Sequence, residues 1–91
     1  MIAMPFYVYM LVCIDGSFYT GYTKNIQART KLHANGQGAR YTKAHKPQKV
    51  VYVELFDSQA KAMKREKEIK KMSHKQKLQL VNLQKDSEQP K

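Results

Sequence analysis

The chain is short of cysteine, of acidic residues and of proline and glycine, and it has no tryptophan. With Cys13 as the only cysteine, no disulfide and no cysteine-based zinc site can form within one chain, which suits a reducing compartment. The apolar run Phe6 to Ile14 is too short to span a bilayer, follows no Lys or Arg and leads into no small-residue cleavage site, so a soluble cytoplasmic protein is expected. No internal repeat is visible. A chain of 91 residues, 42% of them hydrophobic, holds one domain with one modest core. That domain is expected over residues 5–83, with a polar, unstructured tail over 84–91.

The acidic shortage has the larger consequence. Seven Asp and Glu stand against 17 Lys and Arg, a net charge of +10. Solubility asks for a net charge of only about 2 to 8 on a small domain. The excess biases the chain toward polyanions such as nucleic acid, ribonucleoprotein surfaces or acidic membranes.

What is present is patterned. In Phe6 to Ile14, Val8, Met10, Val12 and Ile14 alternate with Tyr7, Tyr9, Leu11 and Cys13, which makes one aliphatic face and one carrying two phenols. Asp15-Gly16 is a turn signal, and Phe6 to Thr23 forms a β-hairpin. Asn25 is placed to cap a helix over Ile26 to Asn35, with Asn35-Gly36 as its stop. On it Arg29 and His33, four apart, share a face. Gly36 to Pro47 is a loop in which Arg40, Lys43 and Lys46 surround Tyr41, a mixture that suits a phosphate backbone or a stacked base. Lys49 to Phe56 alternates as a third strand.

Asp57-Ser58 opens a helix to about Met72, with Ala62 and Ile69 as its buried stripe and Met63 and Met72 offset. Glu66 falls inside that stripe, an unexpected place for a carboxylate. Its plainer reading is an ion pair with Lys70 on the helix surface. Ser73 to Gln76 fits a capping box for a last short helix through Leu78, Leu80, Val81 and Leu83. His45 and His74 have no partners at metal-binding spacing and are taken as surface residues.

Tyr7-Val8-Tyr9, Tyr19-Thr20-Gly21, Arg29 four before His33, and Glu66 on a later helix follow one another in the order of the GIY-YIG nuclease domain. The chain resembles that family over roughly Phe6 to Val81, and most of all its small stand-alone bacterial members, in which strings like Tyr19 to Thr23 and Gly36 to Thr42 are typical. Tyr7 stands where the first motif has its glycine, Tyr22 where DNA-repair members often carry lysine, and Asn82 is the only candidate for an asparagine beyond the glutamate helix.

The resemblance implies an α+β fold, a three-stranded antiparallel sheet flanked by helices in the order β-β-α-β-α-α. It also implies a metal-dependent endonuclease acting on DNA phosphodiester bonds, directed by structure more than by sequence. The residue matching Glu66 holds one divalent ion, Mg²⁺ or Mn²⁺; Tyr9, helped by His33, deprotonates the attacking water; Tyr19 and Arg29 hold and neutralise the scissile phosphate. Gly21, Tyr22, Arg40, Lys43 and Lys46 are expected against the substrate, with Lys61, Lys64 and Lys67 as further phosphate contacts. The implied partner is nucleic acid, DNA foremost, with no membrane; the chain is expected as a monomer, and a partner protein for targeting is compatible. The alternatives are a weakly cleaving or inactive nucleic-acid-binding module on the same fold, and a protein-interaction or ribonucleoprotein-associated basic domain. Binding of one divalent ion at Glu66 separates them.

A shared site also fixes the hairpin. A two-residue loop would put Tyr19 on the aliphatic face, away from Tyr9. The three-residue loop Ile14-Asp15-Gly16, with Gly16 left-handed in a bulge, pairs Cys13 with Ser17 and brings Tyr19 beside Leu11 on the face of Tyr9.

Overall fold

Gly16, at φ 85°, turns the chain back on itself in a conformation that favours glycine. The Cys13 N–H donates to the Ser17 carbonyl at 2.8 Å and the Gly16 N–H to the Cys13 carbonyl at 2.9 Å, closing the expected three-residue loop. Asp15 pins it by accepting from the Ser17 N–H at 3.0 Å and from the Ser17 hydroxyl at 2.6 Å. Strand β1 (Phe6–Cys13) therefore pairs with β2 (Phe18–Thr23) with Leu11 opposite Tyr19 and Tyr9 opposite Gly21. Ile14, expected on the core face, is 65% exposed, because the strand ends at Cys13 and Ile14 belongs to the turn. The structure is a computed structural model that describes residues 5–36 and 44–88.

The chain continues through α1 (Ile26–Ala34), β3 (Pro47–Phe56), α2 (Gln59–Lys70) and α3 (His74–Glu88). The sheet is antiparallel with order β2-β1-β3, so the architecture is the expected α+β one and the first strand lies at the centre. Strand β3 begins two residues earlier than its alternation indicates, at Pro47 opposite Cys13, since an edge strand tolerates a missing N–H. Two register shifts in the β1–β3 ladder break the alternation there. Among the described residues no helix is long and apolar enough to cross a membrane.

Both faces of β1 are buried. On one, Val8 and Met10 pack with Phe18, Tyr52, Ala62, Ile69 and Val81 under α2 and α3. Ile69 is fully buried, which stabilises the fold by about 1.5–3 kcal/mol. On the other face Tyr9, Leu11 and Cys13 are buried as well, and α1 brings His33 against Tyr9.

The helix starts follow the capping residues. The Asn25 and Ser58 side chains accept from the Ala28 and Lys61 N–H groups. Ser73 and Gln76 cap reciprocally, the Ser73 N–H donating to Gln76 Oε1 and the Gln76 N–H to Ser73 Oγ. Residues 84–88, expected in an unstructured tail, instead continue α3. The reason lies at Gln84, whose amide donates to the Val53 carbonyl at 2.6 Å and accepts from the Val53 N–H at 3.0 Å, capping the outer edge of β3.

Candidate active site

A cleft of about 560 Å³ opens where α1 and α2, packed on opposite faces of the sheet, meet over the outer edge of β2. Tyr9, Tyr19, Gly21 and Tyr22 enter it from the hairpin, Arg29 from α1 and Glu66 from α2. Tyr9 belongs to the central strand and reaches the cleft across Gly21. A Cβ on Gly21 would lie 2.7 Å from the Tyr9 phenolic oxygen and 3.1 Å from the Tyr19 ring. The sequence assigned Gly21 to substrate approach; its evident work in the structure is to leave room for the phenol.

His33 does not line the cleft. It lies behind Tyr9, 1% exposed, with Nε2 at 2.9 Å from the Tyr9 hydroxyl. The Tyr19 ring lies 6.3 Å from that of Tyr9 and 5.0 Å from the imidazole, centroid to centroid. Burial, followed by the charge of Arg29, pushes the His33 pKa below its usual value and favours a neutral ring. Burial and the neighbouring Tyr19 push Tyr9 well above the usual phenol range; Arg29 acts in the opposite sense but does not win. Tyr19 is raised by burial and then by Glu66. Arg29 favours a Tyr9 phenolate, but desolvation outweighs the guanidinium. Tyr9 is a phenol whose proton can be donated to a neutral imidazole.

The corner between β2 and α1 aims Arg29. The Thr23 hydroxyl donates to the Asn25 carbonyl at 3.2 Å and accepts from the Asn25 N–H at 3.1 Å, so the helix starts in a fixed direction. Its N-terminal turn, with the positive end of the helix dipole, faces the cleft through Asn25 and Ala28.

Glu66 is the only carboxylate among the residues lining the cleft, its side chain 17% exposed and 3.7 Å from Lys70 Nζ. Both readings of this residue hold at once: it faces the site and it has an ion-pair partner. Mg²⁺ is commonly bound by one or two carboxylates with water and substrate phosphate completing the shell. The Glu66 carboxylate, with phenolic oxygens in the same cleft, is a hard-oxygen donor set of that kind. Among the described residues no group of three or more His, Cys, Asp or Glu could hold a metal ion. The donors fit a cation held weakly and completed by substrate, not a preformed cage.

Phe6, Lys24, Asn25, Ala28, Leu32 and Gln59 also line the cleft. Lys24 lies over the Phe6 ring at 5.5 Å, and Gln59 Nε2 donates to the Tyr22 hydroxyl at 3.2 Å. Neither Lys24 nor Gln59 was singled out from the sequence. Lys24 was legible as the cation directly after the second motif; Gln59 was not, because its position depends on where α2 crosses β2. Lys46 is not at the cleft, and its carbonyl accepts from the Ile14 N–H at the turn end of the hairpin. Arg40 and Lys43 lie outside the described residues. Lys61 pairs with Asp57 at 3.1 Å.

The two histidines read as surface residues clasp the hairpin turn. His45 Nδ1 lies 2.6 Å from Asp15 Oδ2, and His74 Nε2 lies 2.9 Å from the Gly16 carbonyl while its ring stacks on Phe18.

A family model described as the GIY-YIG catalytic domain matches residues 5–79. The UPF0213 protein of Staphylococcus saprophyticus is 51% identical over 76 residues, which is 84% of this chain and 93% of that protein. A UPF0213 protein of Staphylococcus aureus is 47% identical over 75 residues, 82% of this chain and 92% of the relative. Two solution NMR structures share the fold. The UPF0213 protein from Bacillus halodurans is 48% identical with a TM-score of 0.57, covering 88% of this chain and 85% of that one. A protein from E. faecalis is 36% identical with a TM-score of 0.60, covering 96% of this chain and 91% of the other.

Proposed function

The chain belongs to the GIY-YIG catalytic domain family, and we propose from that premise that it is a metal-dependent endonuclease hydrolysing DNA phosphodiester bonds, guided by backbone shape and charge. The observation that supports this most is the convergence on one cleft of Tyr9, Tyr19, Arg29 and Glu66 from four different elements or strand positions, with a buried neutral histidine behind Tyr9.

A phosphodiester repels an anionic nucleophile, so its hydrolysis needs positive charge at the non-bridging oxygens and a base for water. Arg29 supplies a planar fork that matches a phosphate. Tyr19 presents its hydroxyl from β2 to the same phosphate. Tyr9 takes the proton of the attacking water while its own proton passes to His33 Nε2, so no free phenolate has to accumulate. The new P–O bond forms at the water oxygen as the opposite ester bond breaks, and the departing oxygen takes a proton from solvent water to leave as the alcohol. Glu66 would hold a divalent ion, which would supply further positive charge at the phosphate and offset the carboxylate's upward pull on both phenols. Lys24 at the cleft, together with Lys64 and Lys67 of α2, supplies sequence-independent phosphate contacts.

The test is cleavage of duplex, nicked, flapped and branched DNA with Mg²⁺ or Mn²⁺, wild type beside Glu66→Gln. Loss of cleavage in the variant with DNA binding retained or tightened supports the reading. Cleavage by Glu66→Gln at the wild-type rate leaves Glu66 as a helix ion-pair partner. Tight binding to every DNA with no cleavage by the wild type moves the binding-module reading ahead.

A further inference from the structure

Among the described residues Glu66 is the sole carboxylate lining the cleft, and its partner Lys70 stands one helical turn further along α2. Two other cations of that helix are engaged elsewhere. Arg65 is drawn to Glu54 at 3.0 Å and to Glu68 at 3.2 Å, and Lys61 to Asp57. The helical repeat turns Lys64 toward the side away from Glu66, and it puts Lys70 on the side of Gln59, which lines the cleft. The Glu66 to Lys70 separation of 3.7 Å is longer than the about 2.7–2.9 Å of a charge-assisted hydrogen bond, and the Lys70 side chain is 51% exposed. The ammonium is close enough to oppose a cation at the carboxylate, yet loosely enough held to leave.

We propose that Lys70 is a positioning residue that makes cation binding at Glu66 conditional on nucleic acid. This rests on the reading of Glu66 as the carboxylate for the divalent ion. In the free protein the Lys70 charge sits beside Glu66 and repels a second cation. When a phosphate backbone enters the cleft, it offers the ammonium a better counter-ion, Lys70 swings to it, and the carboxylate faces the cleft unopposed. The phosphate that draws Lys70 away also completes the cation's shell, so nucleic acid and metal favour each other's binding. By linkage that coupling has the same size in both directions. A single weak carboxylate then does not load metal until the substrate is in place.

The experiment measures Mn²⁺ binding to the full chain by paramagnetic relaxation, without DNA and with a short phosphorothioate duplex that resists cleavage. Wild type, Lys70→Gln and Lys64→Gln are compared. Without DNA, Lys70→Gln is expected to bind Mn²⁺ roughly tenfold tighter than wild type, as removal of a unit charge from beside a divalent ion implies. Lys64→Gln shifts it far less. The duplex tightens Mn²⁺ binding to wild type by a larger factor than to Lys70→Gln, and Lys70→Arg restores the wild-type pattern. Equal Mn²⁺ affinity of wild type and Lys70→Gln, or equal enhancement by the duplex, overturns the gate and leaves the nuclease reading standing. Absence of Mn²⁺ binding in every protein, with and without duplex, overturns both.

Discussion

Tyr9 and Gly21 stand opposite each other in the β1–β2 ladder, and the Tyr9 phenol occupies the space that a side chain on Gly21 would need. Tyr9 is 1% exposed and bonded to His33, so it has little room to give way. Gly21→Ala is therefore expected to destabilise the fold by about 1–3 kcal/mol and to displace the phenol from the cleft, with a large loss of cleavage. In a Tyr9→Ala background the same change costs much less. A double-mutant cycle by urea denaturation measures the difference, and additive costs would remove the argument for contact.

The proposed proton transfer from Tyr9 to His33 would leave a pH signature. Both groups are neutral at rest, so single-turnover cleavage is expected to be flat from about pH 7 to 9 and to fall in acid as His33 protonates, below its ordinary value of about 6.5. A rate rising about tenfold per pH unit through neutrality would mean that Tyr9 acts as a preformed phenolate.

The same histidine ties stability to pH. Its folded pKa lies below its unfolded one, so the unfolded chain binds more protons in the window between them and stability rises with pH there. His33 thus contributes stability at neutral pH that is lost as the solution is acidified below about 6.5. His33→Gln should flatten that limb of the Tm profile.

Arg29→Ala separates binding from chemistry. In the proposed reaction its charge is needed most as negative charge grows on the phosphate, so turnover of bound DNA is expected to drop far more than affinity. Lys24→Ala should do the opposite, weakening every DNA alike and flattening the salt dependence of binding by nearly one logarithmic unit per decade of salt. Lys61→Ala should do less, because Asp57 already partners that lysine. Cleavage at saturating protein beside titrations at two salt concentrations measures all three.

Thr20 faces the core opposite Met10, 3% exposed, and its hydroxyl has no hydrogen-bond partner among the described residues. A buried orphan hydroxyl costs about 1–3 kcal/mol, so Thr20→Val should raise the Tm and leave cleavage intact. A lower Tm would show that the hydroxyl finds a partner in solution.

Local chemistry made much of this legible. Gly16 could be assigned its left-handed turn because a shared face for Tyr9 and Tyr19 required an odd loop, and Asn25, Ser58 and the Ser73–Gln76 pair mark helix starts through short-range bonds. Glu66 stood out because a charge in an apolar stripe is costly unless something uses it. What stayed hidden depended on long-range placement. Gln59 reaches Tyr22 only because α2 crosses β2 where it does, and His45, His74 and Gln84 find partners on segments far away in the chain. The raised pKa of Tyr9 stayed hidden for a related reason: its burial depends on α1 bringing His33 against it, which the alternation of β1 alone does not reveal.

Helix α2 supplies Ala62 and Ile69 to the core and Glu66 to the cleft. A nascent chain that has emerged only as far as β3 carries both phenols, the guanidinium and the imidazole, yet it lacks the carboxylate and the helix that covers one face of β1. Completing the fold and bringing the carboxylate to the cleft are then a single event, and a fragment from interrupted translation or proteolysis before α2 lacks both.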